Sequence, residues 1–387
     1  RLMRMIGALL VVLFGMLLTA AAPVVKEKDL PPKYRVWLEE EVVYIISDFE
    51  RRAFLAMESD RERDMFINAF WKNRDPNLST PENEFKDEHY KRLAYAREHL
   101  GKGTPTPGWR TDMGRVYILL GPPTDMEHNP NTSDFYPLEI WFYQGLTDLG
   151  LPPGFTLIFY KPYGAGDYKL YSPIGDGPAK LLVNYTGDAN SFDKIFNAIQ
   201  QKNKSLAMAA FGLEVGENRS SLRPSVATDI MLFKKIPAVP MHRLNDDYAR
   251  QLLKYRQFID LEYSTNFVNS AGLVRVWRDV HGRCWLHVQV EPQKLTLEEH
   301  EGKLITNLVL NGSLVDDQNR QVYAFQKDVP VQVSVSQQAA ISAQTFALQD
   351  VIPLIPGKYT FNILIRNTVS KEFFTFERKV ETPSEVG

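Results

Sequence analysis

Apolar residues recur every three to four positions from Lys33 to Leu100, and from Gln257 onward they fall into short alternating runs. The first period belongs to helices and the second to half-buried strands. Tyr34, Trp37, Leu38, Val42 and Ile45 share one helical face. Ser47 with Glu50, and Ser59 with Glu62, match the capping box, in which a hydroxyl caps a new helix and a glutamate reaches back. Phe66, Ala69 and Phe70 continue the second of these helices, which must stop near Asp75 because Pro76 disfavours helical geometry before it. A third helix is expected to open at Thr80–Pro81. Phe85, His89, Leu93, Ala96 and Leu100 would form its stripe and Gly101 its C-terminal cap.

Past the loop at Gly103–Gly108, strands are predicted at 115–120, 139–143, 155–160 and 168–171. Their connections are too short for crossover helices, so the sheet is expected to be antiparallel. Helices are expected at Ser191–Gln201 and Asp246–Tyr255. Nine further strands are expected at 257–266, 273–279, 284–290, 304–314, 321–325, 329–335, 345–351, 358–366 and 372–380. Many short strands separated by turns suggest a β-sandwich of immunoglobulin-like type. The fold class is therefore α+β: a helical segment with an antiparallel sheet, followed by that sandwich. Four regions follow: 1–22 as signal peptide or anchor, 33–175 as a first domain, 176–255 as a mixed connecting region, and 256–383 as the sandwich. Residues 26–32 read as a linker.

The N-terminus changes the picture most. Arg1 to Arg4 is basic and Ile6 to Leu18 is an apolar run of thirteen, the length of a signal-peptide core rather than of a membrane span. Thr19-Ala20-Ala21-Ala22 supplies small residues for cleavage, and Pro23 favours a cut after Ala21. Export is therefore expected, to the periplasm, the outer surface or the medium. Retention of Ile6 to Leu18 as a membrane tether is the alternative. No cysteine follows the run, which removes a lipoprotein anchor, and the one cysteine, Cys284, permits no internal disulfide. A net charge of −2 argues against a nucleic-acid partner.

Gly108-Trp109-Arg110-Thr111-Asp112 and Gly114-Arg115-Val116-Tyr117-Ile118, then Gly121-Pro122-Pro123, resemble the bacterial GWxTD domain family. The resemblance extends to Phe70-Trp71-Lys72-Asn73-Arg74-Asp75-Pro76, to Thr80-Pro81-Glu82-Asn83-Glu84-Phe85, to Tyr90 and Arg92, and to Glu139-Ile140-Trp141-Phe142-Tyr143. It covers roughly residues 34–172 and departs at Met113, where the family usually has a basic residue, and at Thr124, where Asp is common. The resemblance implies an exported protein, often with a β-sandwich behind the domain, and no established activity.

Physically, the motif reads first as architecture. Trp109 would plug a gap between helices and sheet, Thr111-Asp112-Met113-Gly114 would form a turn, and Arg115 would pair with Asp112 or Asp75. The alternative is a binding cleft for a polar ligand. That cleft would be built of Trp109, Asp112, Arg115, Arg74 and Asp75, and the candidates for a binding or structural role together are Trp71, Arg74, Asp75, Gly108, Trp109, Thr111, Asp112, Gly114 and Arg115.

No catalytic, cofactor or metal ligand set is assigned. His281, Cys284 and His287 have ligand-like spacing, but in a strand Cys284 and His287 point to opposite faces. No serine elbow or phosphate loop occurs. The expectation is a non-enzymatic protein that binds an envelope protein or glycan. Two alternatives stand beside it. One is a hydrolase or transferase using Asp112, Arg115 and His89. The other is a carbohydrate binder stacking sugars on Trp141, Phe142, Tyr143, Phe159, Tyr160 and Tyr163.

Overall fold

The computed structural model describes residues 26–382 except 78, 130–132, 213–221, 243, 245, 256–262, 264–265 and 335–345. The targeting segment and most of the strand expected at 257–266 lie outside the described residues.

Both capping boxes close. Ser47 accepts from the Glu50 amide while Glu50 accepts from the Ser47 amide at 2.8 Å, starting α2 (Asp48–Leu55). Ser59 and Glu62 do the same for α3 (Asp60–Lys72). Before them, α1 (Pro32–Val36) starts on a tolerated proline and runs into a π-helical turn at Trp37–Glu41. The expected linker at 26–32 holds a short 3-10 turn whose Glu27 pairs with Arg51 at 2.7 Å.

The next helix, α4 (Glu84–His99), begins later than the Thr80–Pro81 signal predicts. Asn83 is the N-cap, accepting from the Lys86 amide at 2.8 Å, and Thr80 instead donates to Glu84 at 3.0 Å.

The segment expected as a strand at 115–120 is a helix, α5 (Asp112–Leu120). Thr111 caps it, and Gly121 ends it at φ +84°, where only glycine is unstrained. It is buried on several sides, through Met113, Val116, Ile118, Leu119 and Leu120. Burial all round erases the helical period and leaves an apolar run that also fits a strand.

The first sheet is antiparallel in the order β1 (Asp125–Asn129), β2 (Leu138–Gln144), β3 (Gly154–Tyr160) and β4 (Lys169–Leu170). One face, with Trp141, Tyr143, Phe155, Leu157 and Phe159, packs on α5 and on residues 231–239. The other, with Leu138, Ile140, Ile158 and Tyr160, packs on α6 (Phe192–Gln200) and α7 (Lys204–Phe211). Two covered faces explain the nearly unbroken apolar run of β3. After the short helices α8 (Val226–Ile230) and α9 (Ile236–Ala238), α10 (Asp247–Tyr255) joins the core of α1 to α3 through Tyr248, Ala249 and Leu252. Described residues of the region read from sequence as connecting, 176–255, among them Ile195, Phe211, Met231 and Tyr248, pack against the first sheet and the first helices.

The C-terminal strands make two facing antiparallel sheets. One has the order β10 (Leu348–Leu354), β6 (Cys284–Pro292), β5 (Ser270–Arg278). The other runs β12 (Phe373–Glu381), β11 (Lys358–Asn367), β8 (Lys303–Asp316), β7 (Glu298–His300), with β9 (Gln321–Ser334) also on β8. Leu286, Val288, Leu308, Phe361, Ile365 and Phe374 meet in one core, so the sheets form a β-sandwich. The two strands expected at 321–325 and 329–335 are one strand, β9; Pro330 is tolerated because β9 pairs with β8 alone. Leu364 and Phe373 also reach the helical core, so sandwich and helices share apolar contacts.

Candidate functional site

The Gly-Trp-x-Thr-Asp motif is a joint where three backbone segments touch. Gly108-Trp109-Arg110 forms one 3-10 turn. A Cβ on Gly108 would stand 1.9 Å from the Ala96 carbonyl oxygen of α4, and one on Gly114 1.9 Å from the Gly108 carbonyl oxygen. A Cβ on Gly101 would lie 2.6 Å from the Gly108 amide. Gly101 is therefore required by close approach, not by the left-handed cap that its position suggested; its φ is not positive.

Thr111 ties the joint together. Its hydroxyl accepts from the Gly114 amide at 3.0 Å, the N-cap bond of α5, and donates to the Gly108 carbonyl at 2.8 Å. Asp112, in the first turn of α5, accepts the Leu170 amide of β4 at 2.9 Å and pairs with Arg115 at 3.2 Å. It thereby favours the helix dipole and fastens the helix to the edge of the sheet. Arg115 thus pairs with Asp112 rather than with Asp75. The expected turn at Thr111–Gly114 is the first turn of the helix. Trp109 is half-buried against Leu93, Ala96 and Ile118, and its carbonyl accepts from the Tyr44 hydroxyl at 3.2 Å.

Arg74 and Trp71 belong to a different place. Both guanidinium terminal nitrogens of Arg74 lie 2.7 Å from Glu50 carboxylate oxygens, with side chains 5% and 0% exposed. Arg74 also donates to the Ile45 carbonyl at 2.8 Å and lies 3.5 Å from the Phe70 ring centroid. Glu50 further accepts from the Tyr248 hydroxyl at 2.6 Å. Burial raises the Tyr248 pKa, and the neighbouring Glu50 carboxylate adds to this, which keeps it a donor. Trp71 is buried against Phe70, His89 and Tyr90. Asp75 caps its own turn, accepting the Asn77 amide at 3.0 Å.

Beside Arg74 and Asp75 opens a cleft of about 540 Å³. One face of α4 lines it with Glu84, Phe85, Glu88, His89 and Arg92; Ile118 and Leu119 come from the end of α5, and Leu149, Val239 and Pro240 close the far side. That volume suits a small ligand or a side chain. Arg92 donates to Glu88 at 2.7 Å and approaches the Ile118 and Leu119 carbonyls at 3.5 Å, where the negative end of α5 favours a cation. His89 is 4% exposed, and its Nε2 is 2.7 Å from the Glu41 carbonyl, so Nε2 carries the proton. Burial lowers its pKa to about 4, which keeps the ring neutral and Nδ1 an acceptor.

The sequence-stated candidates are thus divided. Arg74 and Asp75 line the cleft, whereas Trp109, Asp112 and Arg115 do not, and His89 is on the cleft side rather than beside Asp112. Glu84, Phe85, Glu88 and Arg92 were missed as a set. Their spacing along one face of α4, within and after the Thr-Pro-Glu-Asn-Glu-Phe stretch, was the available signal.

Other sequence candidates are dispersed. Cys284 faces the sandwich core while His287 faces outward towards Trp277. Trp141, Tyr143, Phe159 and Tyr160 are at most 5% exposed, so of the six aromatics weighed for sugar stacking only Phe142 and Tyr163 reach the surface. Among the described residues no group of His, Cys, Asp and Glu is arranged to hold a metal ion. No described helix is long and apolar enough to cross a membrane.

Fold and site define a module of helices around an antiparallel sheet, carrying a cleft and followed by a β-sandwich. Residues 20–150 match the model of the GWxTD domain, and the chain carries a domain of that family. No curated protein matches the chain. Among solved structures, a β-glucuronidase of Bacteroides uniformis aligns with 29% of this chain and 13% of its own at 11% identity, TM-score 0.21. A β-glucuronidase from glycoside hydrolase family 2 aligns with 30% and 11%, at 16% identity and TM-score 0.20. The chain spans 13% of the first and 11% of the second, and alignments at these scores define neither its fold nor its activity.

Proposed function

We propose that this chain is an exported cell-envelope protein that works by binding or assembly rather than by catalysis, with the cleft against α4 as its binding site. One observation carries the reading. The polar groups of the motif are engaged in structure: Thr111 in the helix cap, and Asp112 with Leu170 and Arg115. The open concavity lies instead between the other two stretches that carry the family resemblance, those around Arg74-Asp75-Pro76 and Glu84-Phe85. A hydrolase or transferase built on Asp112, Arg115 and His89 would need the three within reach of one reacting atom. His89 donates to Glu41 and lines the cleft, away from the Asp112–Arg115 pair, so the binding reading is preferred. Sugar stacking is disfavoured by the burial of four of the six aromatics considered for it. Export rests on the apolar run at Ile6 to Leu18 and on the family resemblance.

The test is affinity capture from envelope fractions with the mature protein, a Glu84→Lys/Phe85→Ala variant and an Asp112→Ala variant. Both cleft side chains are exposed, so the first variant should fold normally. Loss of a specific partner in that variant, with melting unchanged, supports the reading. Retention of every partner by that variant sinks the cleft as the binding site. N-terminal sequencing of the mature protein checks export, and a retained Ile6 to Leu18 would show a tether instead of cleavage.

A further inference from the structure

We infer that the cleft takes a ligand with an apolar body and a cationic, hydrogen-bond-donating head, a primary amine or a guanidinium. The inference rests on the binding reading above and concerns the chemistry of the occupant. Acids outnumber bases in the cleft lining, with Asp75, Glu84 and Glu88 against Arg74 and Arg92. His89 is 4% exposed, its Nε2 is held by the Glu41 carbonyl, and among the described residues Nδ1 has no hydrogen-bond partner. Glu84 uses one oxygen to accept the Thr80 hydroxyl, Glu88 one to accept Arg92, and Asp75 one to accept the Asn77 amide. Among the described residues, the second oxygen of each carboxylate has no hydrogen-bond donor. These acceptors are left for a ligand or water.

The cations of the cleft are already committed. Arg74 is neutralised by Glu50, and Arg92 by Glu88. Among the described residues, Asp75 and Glu84 have no basic partner. A carboxylate or phosphate entering here would meet an excess of negative charge, and the two arginines of the lining are already paired with Glu50 and Glu88. An ammonium or guanidinium would replace its water with charge-assisted bonds. Phe85, Ile118, Leu119, Leu149, Val239 and Pro240 supply the apolar wall. Phe85 is the most accessible of these that the exposed apolar residues include, at 37%, and offers a ring face to a cation or an alkyl chain. His89 is neutral at pH 7 and adds no further positive charge to the cleft.

Two isosteric probes separate the possibilities: 4-phenylbutylamine and 4-phenylbutyrate, titrated into the mature protein at pH 7 and followed by NMR chemical shifts. The amine should bind about tenfold more tightly than the acid. Its binding should weaken severalfold in Glu84→Gln and in Asp75→Asn, each of which keeps the oxygen that accepts its present bond. Phe85→Ala should weaken both probes. Equal or tighter binding of the acid overturns the inference while leaving the cleft a binding site. Amine binding unchanged in both carboxylate variants places the amine elsewhere and also overturns it. No perturbation by either probe, with the variants folded, removes the cleft reading along with its chemistry.

Discussion

Arg74→Met should destabilise the helical core by about 3 kcal/mol, within the range of 3–5 kcal/mol for breaking a buried ion pair. The pair is bidentate, at 2.7 Å on both arms, and Glu50 is 0% exposed. Removing the cation leaves the carboxylate buried, though not bare: the Ser47 amide at 2.8 Å and the Tyr248 hydroxyl at 2.6 Å still donate to it. Those two bonds put the expected loss at the lower end of the range. The Ile45 carbonyl also loses its donor, and the Phe70 ring loses the guanidinium stacked at 3.5 Å. Glu50→Gln should cost a similar amount, because Arg74 then sits at 5% exposure without a counter-charge. The double variant should be only slightly worse than either single one, since neither charge is then stranded. Urea unfolding followed by tryptophan fluorescence reads this core directly, because Trp37 and Trp71 lie 5.2 and 5.0 Å from Phe70. Single variants losing less than about 1 kcal/mol, or strictly additive losses, would refute the claim that the pair and its donors act as one unit.

Gly108→Ala should unfold the motif joint by more than about 2 kcal/mol, because its Cβ meets backbone at 1.9 Å and backbone cannot swing aside as a side chain can; circular-dichroism melts measure it. Thr111→Val should cost about 1–2 kcal/mol and Thr111→Ser much less, since serine retains the hydroxyl that caps α5; the same melts with both variants decide whether capping is the cause. His89 gives a pH dependence. Its folded pKa of about 4 lies below the ordinary histidine value of 6.5, so the unfolded chain binds the proton first as pH falls. The stability contributed is complete above pH 6.5 and is lost on descent towards pH 4, by ~3 kcal/mol. Urea midpoints between pH 7.5 and 4.5 should therefore fall more steeply in the wild type than in His89→Gln, and parallel slopes would exclude His89 as the source.

What the chain discloses depends on whether a signal is local. The two capping boxes are contained within four residues each, and both closed as read. The strands of the sandwich alternate one buried side with one exposed side, so Cys284, Leu286, Val288 and Val290 announce their facing in sequence. The helix at Asp112–Leu120 does not, because its neighbours bury it on several sides. Thr111 before it and Gly121-Pro122 after it were helix punctuation, yet the same residues also spell turns. The later start of α4 depends on the Asn83 side chain, which also donates to the Trp71 carbonyl, a contact that sequence spacing does not reveal. The site was legible as residue types and not as a constellation. Arg115 was expected to meet Asp112 or Asp75, and which of the two acids it meets depended on tertiary distance; Arg74, read only as a candidate cleft residue, finds Glu50.

The motif and the cleft lie at opposite ends of one short helix, and that relation gives the motif a role without contact with a ligand. Thr111 and Asp112 fix the start of α5, by its cap and by the bond to β4. Ile118 and Leu119, at its other end, form part of the cleft wall, and their carbonyls face Arg92. The whole helix is nine residues, about 13 Å, too short to bend appreciably. Gly121, which ends the helix, lies against the Arg92 guanidinium, to which a Cβ there would come within 3.0 Å. Position set at the joint is therefore transmitted to the cleft as geometry rather than as charge. On this account the glycines and threonine keep the wall in place, and recognition belongs to the side chains of α4. A motif built for contact would leave its polar groups free; here Asp112 is engaged by a strand amide and by Arg115, and Thr111 by its own helix.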